Sequence, residues 1–506
     1  MRAAKDSAGH ARWLSARSHA EVLRACAIPL GLTWSVLFIV VGLGAALELY
    51  ADGSMFSYAV AVQDVWAFHW HNISGRLSVF LFCLWPAEIY VGLTGDPHGG
   101  IVLYGLLFYS APLLGLIGTW AADDSEGRVF FSFACCSTAL HCPLVFGFPT
   151  EMWLAHALFW PALAVGHSRR TGIGAVGLLF ALLTALALTH EGAVILAFAV
   201  VATLAARGLR HPAFLRAAGC LAAALVVWGA VKALYRPDGY FADMFKRAAL
   251  NFFDPAIFRV DVVLLLAGTL AAYAVVYVLW RRAAPERALG AATALVAAAL
   301  AGYFLGFDHS LHASNRYYLR TAFVLATPVL GALAAAIAMQ SDGWRPGPSV
   351  SRLMAILTRG PVVRALMGAL LLVTLVHAVE TAKFVAAWTG YKAAVRALAT
   401  GTTSDPALGD PRFVSSGRID AGLNRLSWFS TTPYLSVILA DFAPSRLVVD
   451  PQGNYFWLSC ATATANARAA RGFRPPPATW SGSTPACIGP SRRPPRLARE
   501  LWPNPK

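Results

Sequence analysis

Residues 27–49 read AIPLGLTWSVLFIVVGLGAALEL, carry no charged side chain before Glu48, and end in Tyr50-Ala51-Asp52-Gly53. Crossing hydrocarbon takes about 20 mostly apolar residues in a helix, because lipid offers the backbone no hydrogen-bond partner. This stretch meets that length, and five basic residues precede it: Arg2, Lys5, Arg12, Arg17 and Arg24. It is too long for the apolar core of a cleaved secretion signal. The pattern predicts a retained first membrane helix, with residues 1–26 as a basic cytoplasmic N-terminus.

The same signature recurs near 77–95, 101–121, 129–148, 152–166, 173–189, 192–207, 217–235, 260–280, 288–307, 320–340 and 364–383. Over all 506 residues, 57% are hydrophobic and 13% charged. A soluble chain carries roughly 25% charged residues. So few polar side chains could not coat a water-soluble protein of this size, which excludes soluble, collagen-like, disordered and disulfide-scaffold classes. The net charge of +15, from 41 Lys/Arg against 26 Asp/Glu, falls in short inter-helix segments and near the C-terminus. It reads as topology signals and a basic tail, and no nucleic-acid partner is expected.

Arg169/Arg170, Arg207/Arg210/Arg216, Arg281/Arg282/Arg287 and Arg345/Arg352/Arg359/Arg364 mark alternate loops, which the positive-inside tendency places in the cytoplasm. Twelve crossings would then leave the C-terminus inside, against the charges. The weakest run, 77–95, holds Pro86 and Glu88 mid-segment. If it stays in the outer leaflet, residues 51–100 form one large outer loop and eleven spans satisfy the charges. The expected fold is thus an all-α polytopic membrane protein of about 11 transmembrane helices. A small extracytoplasmic α/β domain over 384–488 and a disordered basic tail over 489–506 follow. Met55, Ala59, Val62, Trp66 and Trp70 recur at helical steps of four and three, which predicts a helix lying along the outer membrane surface.

Cys460 and Cys487 are the only cysteines of the outer segment, and an oxidising compartment favours a disulfide between them. The other six sit in or beside apolar runs, where cysteine acts as a small hydrophobe. His141 and His156 lie inside apolar runs and read as core histidines. The chain has no phosphate-binding G-x-x-x-x-G-K-[ST] loop and no C-x-x-C-H haem motif.

Ionisable groups at membrane depth are costly, so they carry the functional hypotheses. Asp52 closes the first run, and Asp64, His69, His71 and Arg76 follow in the outer loop. Glu151 ends Phe148-Pro149-Thr150-Glu151, and His190-Glu191 occupies the tight turn Thr189–Gly192. Asp308, His309, His312, Arg316 and Arg320 lie between two later runs, within which Asn315-Arg316-Tyr317-Tyr318 stands out. By the charge-derived topology these face one side of the membrane. Arg donates paired hydrogen bonds to phosphate, a carboxylate accepts a hydroxyl proton, and carboxylate with imidazole suits a divalent cation such as Mg or Mn. Plainer readings stand beside these. Asp52 with Gly53 could stop a helix, Glu151 could favour a helix dipole, His190-Glu191 could be a polar turn, and Arg316 and Arg320 could snorkel to the interface.

Taken with Tyr50-Ala51-Asp52, Phe148-Pro149-Thr150-Glu151, His190-Glu191 and Arg316-Tyr317-Tyr318, the whole architecture resembles the GT-C superfamily of integral-membrane glycosyltransferases. The resemblance implies a polyprenyl-phosphate-linked sugar donor, a glycan or glycolipid acceptor and inversion at the anomeric carbon. Asp52 or Asp64 would be the base. Arg316, Arg320, Arg76 and His309 would bind the donor phosphate, and Glu151, His190 and Glu191 would hold a divalent cation or shape the acceptor pocket. The implied location is a bacterial inner membrane, with the site on the extracytoplasmic face. Many members carry paired acids in the first loop, where this chain has Asp52-Gly53. A lipid-linked glycan polymerase or ligase, a flippase or transporter of an anionic lipid-linked substrate, and a non-enzymatic scaffold are the competing readings.

Overall fold

The computed structural model describes residues 2–63, 76–141, 151–234, 278, 285–306, 313–341, 343–344, 347–348, 351, 355, 360–402, 413–428 and 431–449. Helix α1 spans Arg2–Gly44, and a single 3₁₀ turn, Leu47–Leu49, leads to α2, Asp52–Ala61. Next come α3 (Leu77–Thr94), α4 (Pro97–Ala122), α5 (Val129–His141), α6 (Met152–His167), α7 (Ile173–Ala187), α8 (Ala193–Ala205) and α9 (Pro212–Leu234). Then follow α10 (Pro285–Gly306), α11 (Ala313–Ser341) and α12 (Gly360–Thr400). Among the described residues, five helices are long and apolar enough to cross a membrane: Arg24–Gly44, Leu77–Thr94, Pro97–Ala122, Pro212–Leu234 and Val362–Thr400. These mark a helical membrane protein. The runs expected at 152–166, 173–189 and 192–207 form helices of 16, 15 and 13 residues, short of the about 20 a full crossing needs. The run at 260–280 lies outside the described residues.

Local chemistry sets the turn between α3 and α4. Pro86 has no N–H to complete an α-helical bond, and the helix widens into a π turn over Phe80–Leu84 just before it. Gly95, at φ 72°, supplies the left-handed residue that ends α3. Asp96 caps α4 by accepting the Gly99 N–H at 3.0 Å, with Pro97 in the first helical position. The two helices fold back on each other, so that Val91 meets Gly100 and Val79 shares an apolar cluster with Ala111. Helix α3 therefore packs along the first half of α4 alone. The second half of α4 packs parallel to α6, where Gly115 touches Ala157 and Gly118 faces Pro161. A Cβ on Gly115 would come within 2.6 Å of the Ala157 carbonyl oxygen, so only glycine allows that approach.

The bundle has two distinct ends. At one, Arg24 lies against Gly127, Asp124 accepts bonds from Ser168 Oγ and the Arg169 N–H, and Trp344 Nε1 donates to the Ala206 carbonyl. At the other, Arg76, Glu151, Glu191 and Lys232 meet, and Ser78 bonds to the carbonyls of Ala185 and Leu188.

Helix α12 runs 41 residues, about 60 Å at 1.5 Å per residue. Its later turns pack on the end of α1: Trp388 Nε1 donates to the Ala45 carbonyl at 3.1 Å, and Lys392 Nζ reaches the same oxygen. Beyond it, strand β1 (Phe413–Ser415) pairs in parallel with β2 (Leu447–Val449), Val414 opposite Val448. Helices α13 (Ala421–Asn424) and α14 (Thr432–Leu439) lie between them in sequence. These elements share one apolar core with the end of α1, with α2 and with the first half of α4.

Helix α2 corrects one expectation. Every residue from Gly53 to Ala61 is buried, so over these positions the helix is packed inside protein and not laid on a membrane surface. Met55 and Ala59 are core residues, at 1% and 0% exposure. The apolar spacing was real, but the polar positions that would have faced water, Ser54 and Ser57, bond to the carbonyls of Ala51 and Glu48 instead. Trp66 and Trp70 lie outside the described residues. Asp52 also starts α2 where it was read as a possible stop for the preceding helix.

Candidate functional site

Four of the expected site residues converge at one end of the bundle. Arg76 precedes α3 and directs its guanidinium between two helix starts. Its Nη1 lies 2.5 Å from Glu151 Oε1, and its Nη2 lies 3.6 Å from Glu191 Oε2. Glu151 occupies the position before α6 yet makes no side-chain cap bond to that helix. Its carboxylate turns to Arg76 instead. His190 Nδ1 accepts the Gly192 N–H at 2.9 Å and lies 3.9 Å from Glu191 Oε2. In a neutral ring this places the proton on Nε2.

The fifth member is Lys232, in the last turn of α9, whose Nζ is 3.0 Å from Glu191 Oε1. The sequence reading passed over it because it sits inside the apolar run 217–235. Its signal was available, since a lysine closing such a run at the end carrying other ionisable groups belongs with them. Glu191 thus has a cation at each oxygen. Burial alone would raise its carboxyl, but Arg76, His190 and Lys232 outweigh that and hold it down at about 2. Two carboxylates and two cations make a network neutral overall, spanning four segments that are distant in sequence.

Asp52 begins α2, the helix that reaches this cluster through Phe56. Tyr104 is buried on α4. A cavity of about 10 Å³, room for about one water molecule, is lined by Phe56 of α2 together with Arg76, Tyr104 and Glu151. The turn before Asp52 is unusual. Ala51 has φ 51° and ψ −128°, and the Gly53 N–H bonds back to the Tyr50 carbonyl at 3.0 Å. That is the geometry of a type II′ turn, whose first central position glycine normally fills. Glu48, one turn earlier, is 3% exposed, and its Oε2 has no hydrogen-bond partner among the described residues. This buried acid was also missed, hidden at the end of the first apolar run.

Arg316 and Arg320 lie in the first turns of α11, and their side chains are outside the described set. Asp64, His309, Cys460 and Cys487 lie outside the described residues, as do His69 and His71. His156 is a core histidine, as expected, with Nε2 2.8 Å from Ser137 Oγ. Glu151, His190 and Glu191, the set expected for a divalent cation, are not arranged as a three-ligand group, and none of that kind occurs among the described residues. Two of the three are bound to cations of the chain itself.

A second cavity, an apolar groove of about 710 Å³, lies between α3, α4, α6 and α7. It extends from Phe82, Cys83 and Leu154, near the charged cluster, to Ser168 and Arg170 at the opposite end. No family model, curated protein or solved structure matches this chain.

Proposed function

We propose that this protein is a membrane glycosyltransferase that moves a sugar from a polyprenyl-phosphate donor to an envelope glycan or glycolipid, on the extracytoplasmic face of a bacterial inner membrane. The observation that carries the reading is the meeting of Arg76, Glu151, His190, Glu191 and Lys232 at one bundle end, where Phe56 of α2, the helix that Asp52 begins, lines a cavity with Arg76 and Glu151. Cations for a phosphate and a carboxylate for a hydroxyl proton are the two demands of such a transfer. In this reading the N-terminus is cytoplasmic, and residues 384–488, which take in the last turns of α12, form an extracytoplasmic unit.

The acceptor hydroxyl gives its proton to Asp52 as its oxygen bonds to the anomeric carbon. The bond from that carbon to the phosphate oxygen breaks, with inversion, and its electrons stay on the phosphate. Arg76 exchanges a carboxylate partner for the leaving phosphate, assisted by Arg316, Arg320 or His309. Glu151, His190 and Glu191 shape the acceptor side. The prenyl chain lies in the apolar groove, whose Phe82–Cys83 end adjoins the cluster.

A strain deleted for the gene, re-supplied with wild type or Asp52→Asn at equal membrane levels, tests this by mass profiling of envelope glycolipids and polysaccharides. Loss of one sugar's mass, restored by wild type alone, is the expected result. Full restoration by Asp52→Asn would remove Asp52 as the base and point to Asp64. An unchanged profile in the deleted strain would remove the transferase reading.

A further inference from the structure

The Ala51 carbonyl accepts a hydrogen bond from Thr431 Oγ1 at 2.8 Å, across 380 residues of sequence. Ser54 Oγ, at 2.9 Å, is its other side-chain donor, and Ser54 Oγ also lies 3.2 Å from the Thr431 carbonyl. Ala51 and Thr431 are both buried, at 4% and 1% exposure. Thr431 stands at the position before α14, where a threonine hydroxyl ordinarily accepts an N–H of its own helix. Here it makes no such bond. Its hydroxyl points away from α14 and holds the peptide that precedes Asp52.

That peptide needs holding. An L-residue at φ 51° and ψ −128° is strained, and such conformations persist only where the surroundings over-determine them. The surroundings here come from the C-terminal segment: Thr431 on the carbonyl, Tyr434 against Tyr58 with ring centroids 5.3 Å apart, and Trp388 against Tyr50 at 5.3 Å.

We infer that Thr431 is a positioning residue, which locks the Tyr50–Gly53 turn and thereby aims the Asp52 carboxylate, so that the C-terminal segment completes the site. The inference rests on the transferase reading for its consequence in activity, but not for the clamp itself. Glycine adopts the turn without strain. Replacing Ala51 with glycine should therefore remove the need for the clamp.

The test uses Thr431→Val, Thr431→Ser, Ala51→Gly and the double variant Ala51→Gly/Thr431→Val in the full chain. Envelope glycan mass profiles report activity in the deleted strain, and amide hydrogen exchange at Gly53 and Ser54 in purified protein reports the turn. Thr431→Val should speed that exchange and lower product roughly tenfold, the loss of about one hydrogen bond. Thr431→Ser should restore both, and Ala51→Gly should suppress the Thr431→Val defect in both. If Thr431→Val matches wild type while Asp52→Asn is inactive, the inference is wrong and the function stands. If the double variant is no better than Thr431→Val, Thr431 does not act through the turn. If Asp52→Asn is fully active while exchange responds as expected, the clamp stands and the catalytic role of Asp52 falls.

Discussion

The two ends of the bundle use acidic residues differently. At the end built from 123–128 and 168–172, acids bond to the backbone and hydroxyl groups of turns. Asp123 accepts from the N–H groups of Ser125 and Phe131, and Asp124 accepts from Ser168 Oγ and the Arg169 N–H. Those bonds end and start helices, which is the ordinary structural work of an aspartate in a turn. At the other end, Glu151 stands where it could cap α6 and does not, and Glu191 bonds to Lys232 and approaches Arg76. Partly buried ion pairs contribute little net stability against apolar replacements. Under the proposed function, acids that do not finish their own helices and lie in such pairs serve chemistry more than the fold.

The largest expected effect separates the ends most sharply. Arg76→Met removes the guanidinium that contacts Glu151 Oε1 and takes one of two cations from Glu191. It should cost about 2–3 kcal/mol, below a fully buried pair because Arg76 keeps some solvent contact, and lower glycan product at least roughly 100-fold. Thermal unfolding in detergent and the mass profile measure the two. A drop in stability with product intact would assign the cluster to structure.

An intermediate effect lies in acid. Because the folded Glu191 carboxyl is held at about 2 against an ordinary 4.5, its contribution to stability is complete above about pH 5. It is lost as pH falls from there towards 2, and amounts to about 3 kcal/mol. A pH series of unfolding midpoints on wild type and Glu191→Gln should show a steeper acid loss in wild type. Parallel curves would mean that Glu191 is not so strongly paired.

The smallest effect belongs to the opposite end. Asp124→Asn keeps an oxygen for Ser168 and Arg169, so it should cost no more than about 1 kcal/mol and leave the glycan profile unchanged. A loss of product there would erase the contrast between the ends.

Much of this was legible in the chain. Apart from the first and last, the described apolar runs form helices near the expected bounds, because hydrophobic length is a strong and local signal; α1 begins already at Arg2, and α12 runs on to Thr400, past the end expected at 383. Arg76, Glu151, His190 and Glu191 were found because ionisable groups stand out against apolar neighbours. Their geometry was not legible, nor was the role of Lys232, since pairing across four segments is set by packing. Ala51 and Thr431 carried no signal at all: an alanine with positive φ and a threonine facing away from its helix look ordinary in sequence. The helix α2 was misplaced for a related reason. Its apolar spacing is the same whether lipid or protein covers the face, and only the C-terminal segment decides which.

The most direct measurement sets Glu151→Gln beside Asp124→Asn in one deleted strain, with unfolding midpoint and glycan mass recorded for both. Glu151→Gln should lose product while keeping a folded protein, and Asp124→Asn should keep product. If Glu151→Gln makes as much glycan as wild type, the charged end is a structural clasp, and the claim that its acids serve transfer is contradicted.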